Sequence, residues 1–338
     1  MKQLSYLIVL AILSGIIFSC NGPLKHSGLE STSKILIYDN GVNIAYIDTG
    51  KGDTTLLFVH GWCINRTYWN NQIAYFSKKY RVVAIDLPGF GESGKNRSDW
   101  STRMFGNDVD SVIKQLSLKN VILVGHSMAG DIVLQAAIDN PTKVIGLVGV
   151  DNFKNVGRIE TAQSKADFAN AVEELGKHFK KIAFDYFNQD LFSKTTDTAI
   201  KKRVLNDVAH ADSTIATACM KRVNDFNEVN KLREAKIKLY LINSDVHPVD
   251  SIGLIKNRIS YRVLYIHGTG HFPMIEAPTE FNLLLEQVIT GIKSRDRNAG
   301  VACVAYRCRC CSQHLNTTTD HKGILPYVWP PLYRIIAS

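Results

Sequence analysis

Residues 121 to 130 read Val121-Ile122-Leu123-Val124-Gly125-His126-Ser127-Met128-Ala129-Gly130, and the helix-like segment Asp131 to Ile138 follows directly. An apolar run, a tight turn of small residues and a helix is the order that exposes a side chain at the carboxyl end of a strand. A serine held there is a candidate nucleophile. The amide of the next residue, Met128, is left at a helix N-terminus, where it can bind a developing oxyanion. In this chain Ala129 stands at the second glycine position of Gly-x-Ser-x-Gly, and glycine returns only at Gly130. Alanine is small enough for the same turn.

Three further motifs surround this one. Upstream, Leu56-Leu57-Phe58-Val59 runs into His60-Gly61-Trp62, and Val82 to Asp86 runs into Leu87-Pro88-Gly89-Phe90-Gly91-Glu92-Ser93. Late in the chain comes Gly268-Thr269-Gly270-His271-Phe272-Pro273. In this order, each behind a strand-like run, the four motifs resemble those of the α/β-hydrolase family over roughly residues 34 to 294. The resemblance implies an α/β fold with a mostly parallel eight-stranded sheet flanked by helices and a helical cap after strand 6. It also implies a serine hydrolase of carboxylesterase type, in which Ser127 is the nucleophile, His271 the base, and the amides of Trp62 and Met128 the oxyanion hole.

Serine hydrolysis needs a base near the hydroxyl, because serine is a poor nucleophile at neutral pH and imidazole takes its proton reversibly. The base needs a carboxylate to fix its tautomer. Asp245, after the apolar run Ile237 to Ile242, completes the family's order of nucleophile, acid and base, although Asn243 stands where glycine is usual. Asp151, ending the sixth run, and Asp250 are rivals for the acid. His60 and His126 sit in turn motifs and read as packing residues, His210 as a solvated one, and Asp86 as a brace for its glycine-rich turn. Trp62 and Cys63 are expected to present side chains to the substrate. No metal or organic cofactor is called for. The expected substrate is a small ester-like carbonyl compound, cleaved through an acyl-enzyme. The alternatives on the same residues are C–C bond hydrolysis, cofactor-free haloperoxidase or lyase chemistry, and a non-catalytic binding protein of the same fold. Aspartate-dependent dehalogenase and epoxide hydrolase chemistry is disfavoured by serine at the elbow.

Apolar or β-branched runs recur at 35–38, 42–48, 55–59, 81–86, 121–124, 144–150, 237–242 and 262–267. The first two can form a hairpin across Asn40-Gly41, and from the third onward helical stretches separate the strands as parallel crossovers require. Residues 152–236 carry helical patterns without a strand, notably Ala162 to Phe187 and Thr198 to Arg222. They form the expected cap, whose aromatics Phe153, Phe168, Phe179, Phe184, Tyr186, Phe187 and Phe192 are candidates for an apolar pocket.

The hydrophobic share of 45% suits one large buried core. Net charge is +9, but residues 295–338 hold six Lys or Arg against two Asp or Glu. The remainder is unremarkable, and without a basic stripe interleaved with aromatics nucleic acid is not an expected partner. Residues 1–20, with Lys2, the apolar run Leu7 to Phe18 and Ile17-Phe18-Ser19-Cys20, resemble a bacterial lipoprotein signal. This predicts export and a lipid anchor on Cys20 at the cell envelope, with a periplasmic or secreted protein as the alternative. Residues 21–33 read as a linker. After Ile292 the helical period stops, and 295–338 read as an irregular, disordered or out-of-frame tail. Its Cys303, Cys308, Cys310 and Cys311 lack the paired Cys-x-x-Cys spacing that spans a tetrahedral zinc site.

Overall fold

The computed structural model describes residues 34–37 and 41–298. The signal, the linker up to residue 33 and the cysteine-bearing stretch from residue 299 lie outside the described residues. Eight strands form one sheet: β1 (Lys34–Ile37), β2 (Asn43–Asp48), β3 (Thr55–Val59), β4 (Arg81–Ile85), β5 (Val121–His126), β6 (Val144–Val150), β7 (Leu239–Ser244) and β8 (Tyr261–Ile266). Their order is β1-β2-β4-β3-β5-β6-β7-β8. The expected hairpin forms, with Lys34 opposite Tyr46 and Ile37 opposite Asn43. β2 also runs antiparallel to β4, and every later pair is parallel.

Every residue of β3 and of β5 is buried, as expected of parallel strands covered by helices on both faces. The helices outside the long insertion are α1 (Asn70–Phe76), α2 (Thr102–Gln115) and α3 (Ala129–Asp139), then, near the end, α9 (Ser251–Lys256), α10 (Pro273–Glu276) and α11 (Pro278–Asn298). α2 and α3 pack together with α3 on β5 and β6, while α11 packs on β6, β7 and β8 and meets α1. The helix expected to stop after Ile292 continues to Asn298. Lys293 to Asn298 contains no glycine or proline, so nothing in the local chain ends it sooner.

Between β6 and β7 the chain forms α4 (Ala162–Lys177), α5 (Phe179–Tyr186), α6 (Thr198–His210), α7 (Ser213–Arg222) and α8 (Glu228–Ala235). Each of the two long helical patterns is broken once. His178 leaves helical geometry at φ −131°, and Ala211 turns extended so that Asp212 can cap α7 through Ile215 N.

The sheet order has one reversal that matters for function. β3 pairs in parallel with β4 on one side and with β5 on the other, so Val59 lies opposite both Ile85 and Gly125. The loops leaving β3, β4 and β5 therefore converge at one carboxyl edge, which in open α/β sheets is where ligands bind. Asp86 braces this edge as expected. It accepts from Arg66 N at 2.6 Å and from Glu92 N at 2.9 Å, and it pairs with the Arg66 guanidinium. Both side chains are almost fully withdrawn from water. Arg66→Met leaves Asp86 as an uncompensated buried charge and is expected to lower unfolding free energy by about 3–5 kcal/mol in chemical denaturation.

Candidate active site

Ser127 sits at φ +53° between β5 and α3, a left-handed conformation that a non-glycine residue holds only when its surroundings over-determine it. Three contacts do so. Ser127 N donates to Val150 O at 2.9 Å, Asn152 Nδ2 donates to Gly125 O at 2.9 Å and to Ser127 O at 3.2 Å, and α3 crosses Gly125 closely. A side chain at Gly125 would meet Ala129 O at 2.4 Å. The loop after β3 approaches from the other side, since a Cβ at Gly61 would lie 3.0 Å from Ser127 Cβ. Glycine at Gly61 thus lets the Trp62 amide approach the serine. Among the described residues, neither the Trp62 nor the Met128 amide donates to a protein acceptor, so both remain available to an anionic oxygen.

His271 follows β8. Its amide donates to Leu191 O at 2.7 Å, its carbonyl accepts from His126 Nε2 at 2.8 Å, and the flanking amides of Gly270 and Phe272 donate to the Glu276 carboxylate at 2.9 and 3.0 Å. Four contacts hold the loop. His126 is fully buried and its pKa is pushed down to about 3, by burial and then by the neighbouring His271. It is a neutral packing residue, as is His60, which donates from Nδ1 to Gly61 O at 2.7 Å while Nε2 accepts from Leu87 N. His210 lies exposed at the end of α6.

The carboxylate facing His271 is Asp151. Nδ1 of His271 lies 2.5 Å from Asp151 Oδ2, and the Asp151 side chain is only 2% exposed. Asp245, expected in this place, instead pairs with Nδ1 of His267 at 2.7 Å, and its side chain is 41% exposed. The cause is strand alternation. β7 continues two residues beyond the expected Ile242, and Ser244 turns toward Asp151, donating from both N and Oγ to Oδ1 at 2.9 Å. The next side chain must then point to the other face, where β8 supplies His267. Asp250, the other rival, caps α9 by accepting from Ile252 N.

Burial would push the Asp151 carboxyl up, but the Lys154 ammonium and the hydrogen bond from His271 outweigh it and hold the group well below the usual carboxylate range. Lys154 Nζ lies 2.9 Å from the carboxylate. Asp151 is also at φ +50°, so strained backbone carries both Ser127 and the carboxylate that faces His271. Lys154, Asn152, Ser244 and Glu276 escaped the sequence reading. The spacing of Lys154 three residues after Asp151 was their only local trace.

Ser127 and His271 both line two cavities. One, of about 10 Å³, is walled by Trp62, Tyr186, Phe187, Leu191 and Phe272. The other, of about 730 Å³, extends past Met128 and Asp131 beneath the segment from Val223 to Asn230. Of the expected pocket aromatics, Phe187 lines the small cavity, Phe153 the large one and Tyr186 both. Phe168, Phe179 and Phe192 are buried in packing and Phe184 packs half-buried against them. Trp62 reaches the small cavity while its indole donates to Ala216 O of α7 at 2.9 Å. Cys63 does not line either cavity and is buried, because φ +60° at this residue turns its side chain away from the cavities into the core.

These elements define the α/β-hydrolase fold. The α/β-hydrolase family model matches residues 54–198, covering β3 through the start of α6. In sequence, the chain is 30% identical over 144 residues to the dihydrolipoyllysine-residue acetyltransferase component of an acetoin cleaving system of Cupriavidus necator, covering 40% of this chain and 38% of that protein. It spans about a third of the length of the first curated relatives it matches. A pimeloyl-[acyl-carrier protein] methyl ester esterase of Wigglesworthia glossinidia brevipalpis is 24% identical, with 71% of this chain and 95% of that protein aligned. A thermophilic esterase from Thermogutta terrifontis superposes with a TM-score of 0.66 at 18% identity, covering 77% of this chain and 98% of that one. The family's members among these comparisons include esterases and other hydrolases.

Asp131 and Glu228, both on the large cavity, have carboxyl pKa values pushed up by burial, and for Asp131 also by the neighbouring Glu228 charge. A carboxyl that is harder to ionise in the folded state contributes stability below its unfolded pKa and loses it as pH rises through the folded one. Glu228→Gln is therefore expected to raise the thermal midpoint at pH 8, with the gain shrinking toward pH 4 in a melting series.

Proposed function

We propose that this protein is a serine hydrolase that cleaves an ester-like carbonyl substrate through Ser127, His271 and Asp151. The observation that carries the reading is the buried contact of His271 Nδ1 with Asp151, made beside a strained serine that lines the same cavities. With Nδ1–H donated to the carboxylate, Nε2 is the basic nitrogen. It takes the Ser127 proton as Oγ adds to the carbonyl carbon, and the resulting imidazolium is stabilised by Asp151. The Trp62 and Met128 amides receive the oxyanion. Collapse expels the alcohol, protonated by His271, and leaves an acyl-serine. Water, deprotonated by His271, then releases the acid and restores Ser127. Lys154 keeps Asp151 ionised throughout the cycle, so the acid holds the imidazole without taking its proton. The lipoprotein-type signal belongs to the same reading, and puts this activity at the bacterial envelope on a lipidated Cys20.

Hydrolysis of p-nitrophenyl esters and labelling by a fluorophosphonate test this. Ser127→Ala, His271→Ala and Asp151→Asn are each expected to lose about a thousandfold or more in kcat. Asp245→Asn is expected to stay within about threefold, because its carboxylate faces His267 at the surface. An Asp245→Asn loss equal to that of Asp151→Asn would reject the assignment of the acid.

A further inference from the structure

The two cavities that meet at Ser127 differ in size, lining and access to water. The small one holds about one water-sized sphere, the space of a methyl group. Its walls are closed by buried rings, with Phe187 stacked on both Trp62 and Phe272. The large one opens to solvent past exposed Asn224, Asn227 and Arg233.

The chemistry of the cycle decides which part of a substrate each cavity takes. In deacylation the water attacks from the side the alcohol has left, where His271 can take its proton. A closed aromatic pocket filled by the acyl group cannot supply that water. The open cavity can, so the alcohol belongs there and the acyl group in the small pocket.

The large cavity is built for hydrogen bonds. Asp131, one helical turn beyond Ser127, has a buried Oδ1 without a hydrogen-bond partner. Neither it nor Glu228 nor Arg158, on the same cavity, forms an ion pair among the described residues. Carboxyl groups and a guanidinium donor thus line one space, and a hydroxyl group can pair with either because it donates and accepts. A purely apolar alcohol would leave these groups desolvated and unpaired.

We infer that the substrate is an acetate ester of a polyhydroxy alcohol, with the acetyl methyl against Trp62, Phe187 and Phe272 and the hydroxyls on Asp131, Glu228 and Arg158. This rests on the serine-hydrolase reading above and specifies its substrate class.

The full-length protein is assayed on p-nitrophenyl acetate, butyrate and octanoate, then for acetate release from methyl 6-O-acetyl-glucopyranoside and from hexyl acetate. The expected result is a kcat/KM at least about tenfold higher for acetate than for butyrate, and higher for the acetyl glucoside than for hexyl acetate. Phe187→Ala is expected to raise the butyrate-to-acetate ratio about tenfold, and Asp131→Asn to lower the glucoside-to-hexyl ratio about tenfold. Preference for octanoate or hexyl acetate in the wild type, with Ser127 still labelled by the fluorophosphonate, overturns the substrate class and leaves the hydrolase standing. A wild type that turns over no ester and ignores the fluorophosphonate overturns both. The wild-type preferences decide the matter even if either variant fails to fold.

Discussion

The hydrogen bond between His271 and Asp151 spans the sheet from the end of β6 to the loop after β8, across β7. Everything around it follows from the need to keep a carboxylate charged where water is almost absent. Burial alone would neutralise such a group. Here Lys154 compensates from three residues away, Ser244 contributes two hydrogen bonds from the intervening strand, and His271 provides the third partner. The carboxylate is thereby satisfied on both oxygens, which is the condition under which a buried charge is tolerable. Its orientation is fixed as a result, and so is that of the imidazole.

A second set of contacts does the same for the serine. The switch in strand order at β3 brings two loops together, Gly61 lets them approach within van der Waals range, and Asn152 donates to Gly125 O and Ser127 O of the elbow. Because Asn152 is adjacent in sequence to Asp151, the elbow serine and the carboxylate that faces His271 are positioned by one short segment. Strain at Ser127 and Asp151 is held by this mutual bracing.

Much of this was legible in the residues. All eight strands fall where apolar runs occur, and the central ones, β3 to β7, are nearly continuous apolar segments because they are buried on both faces. The places of Ser127 and His271 in loops at the carboxyl edge were readable because each sits in a turn whose small residues have a steric reason to be there. The carboxylate that faces His271 was not. Asp245 and Asp151 each follow a strand, and which of them faces His271 depends on where β7 ends relative to its neighbours. A shift of one residue exchanges the two faces of a strand, and Asn243-Ser244 carries no local mark that it remains within the sheet. The breaks at His178 and Ala211 also escaped: both residues are compatible with a helix, and the one local mark, the N-cap Asp212 that starts α7, lies inside an otherwise continuous helical pattern.

The indole of Trp62 donates to a carbonyl of α7, and its ring stacks on Phe187 in the insertion. The residue whose amide faces Ser127 is thus also a fastening for the roof. Lifting α7 to admit a molecule would pull on the very loop that must be in place when charge develops on the substrate oxygen. A roof that hinges at each turnover would have to dismantle and rebuild that loop every time. The large cavity reaches solvent at Asn224, Asn227 and Arg233 without involving Trp62 or any residue of α7, so a molecule entering there would leave that loop assembled.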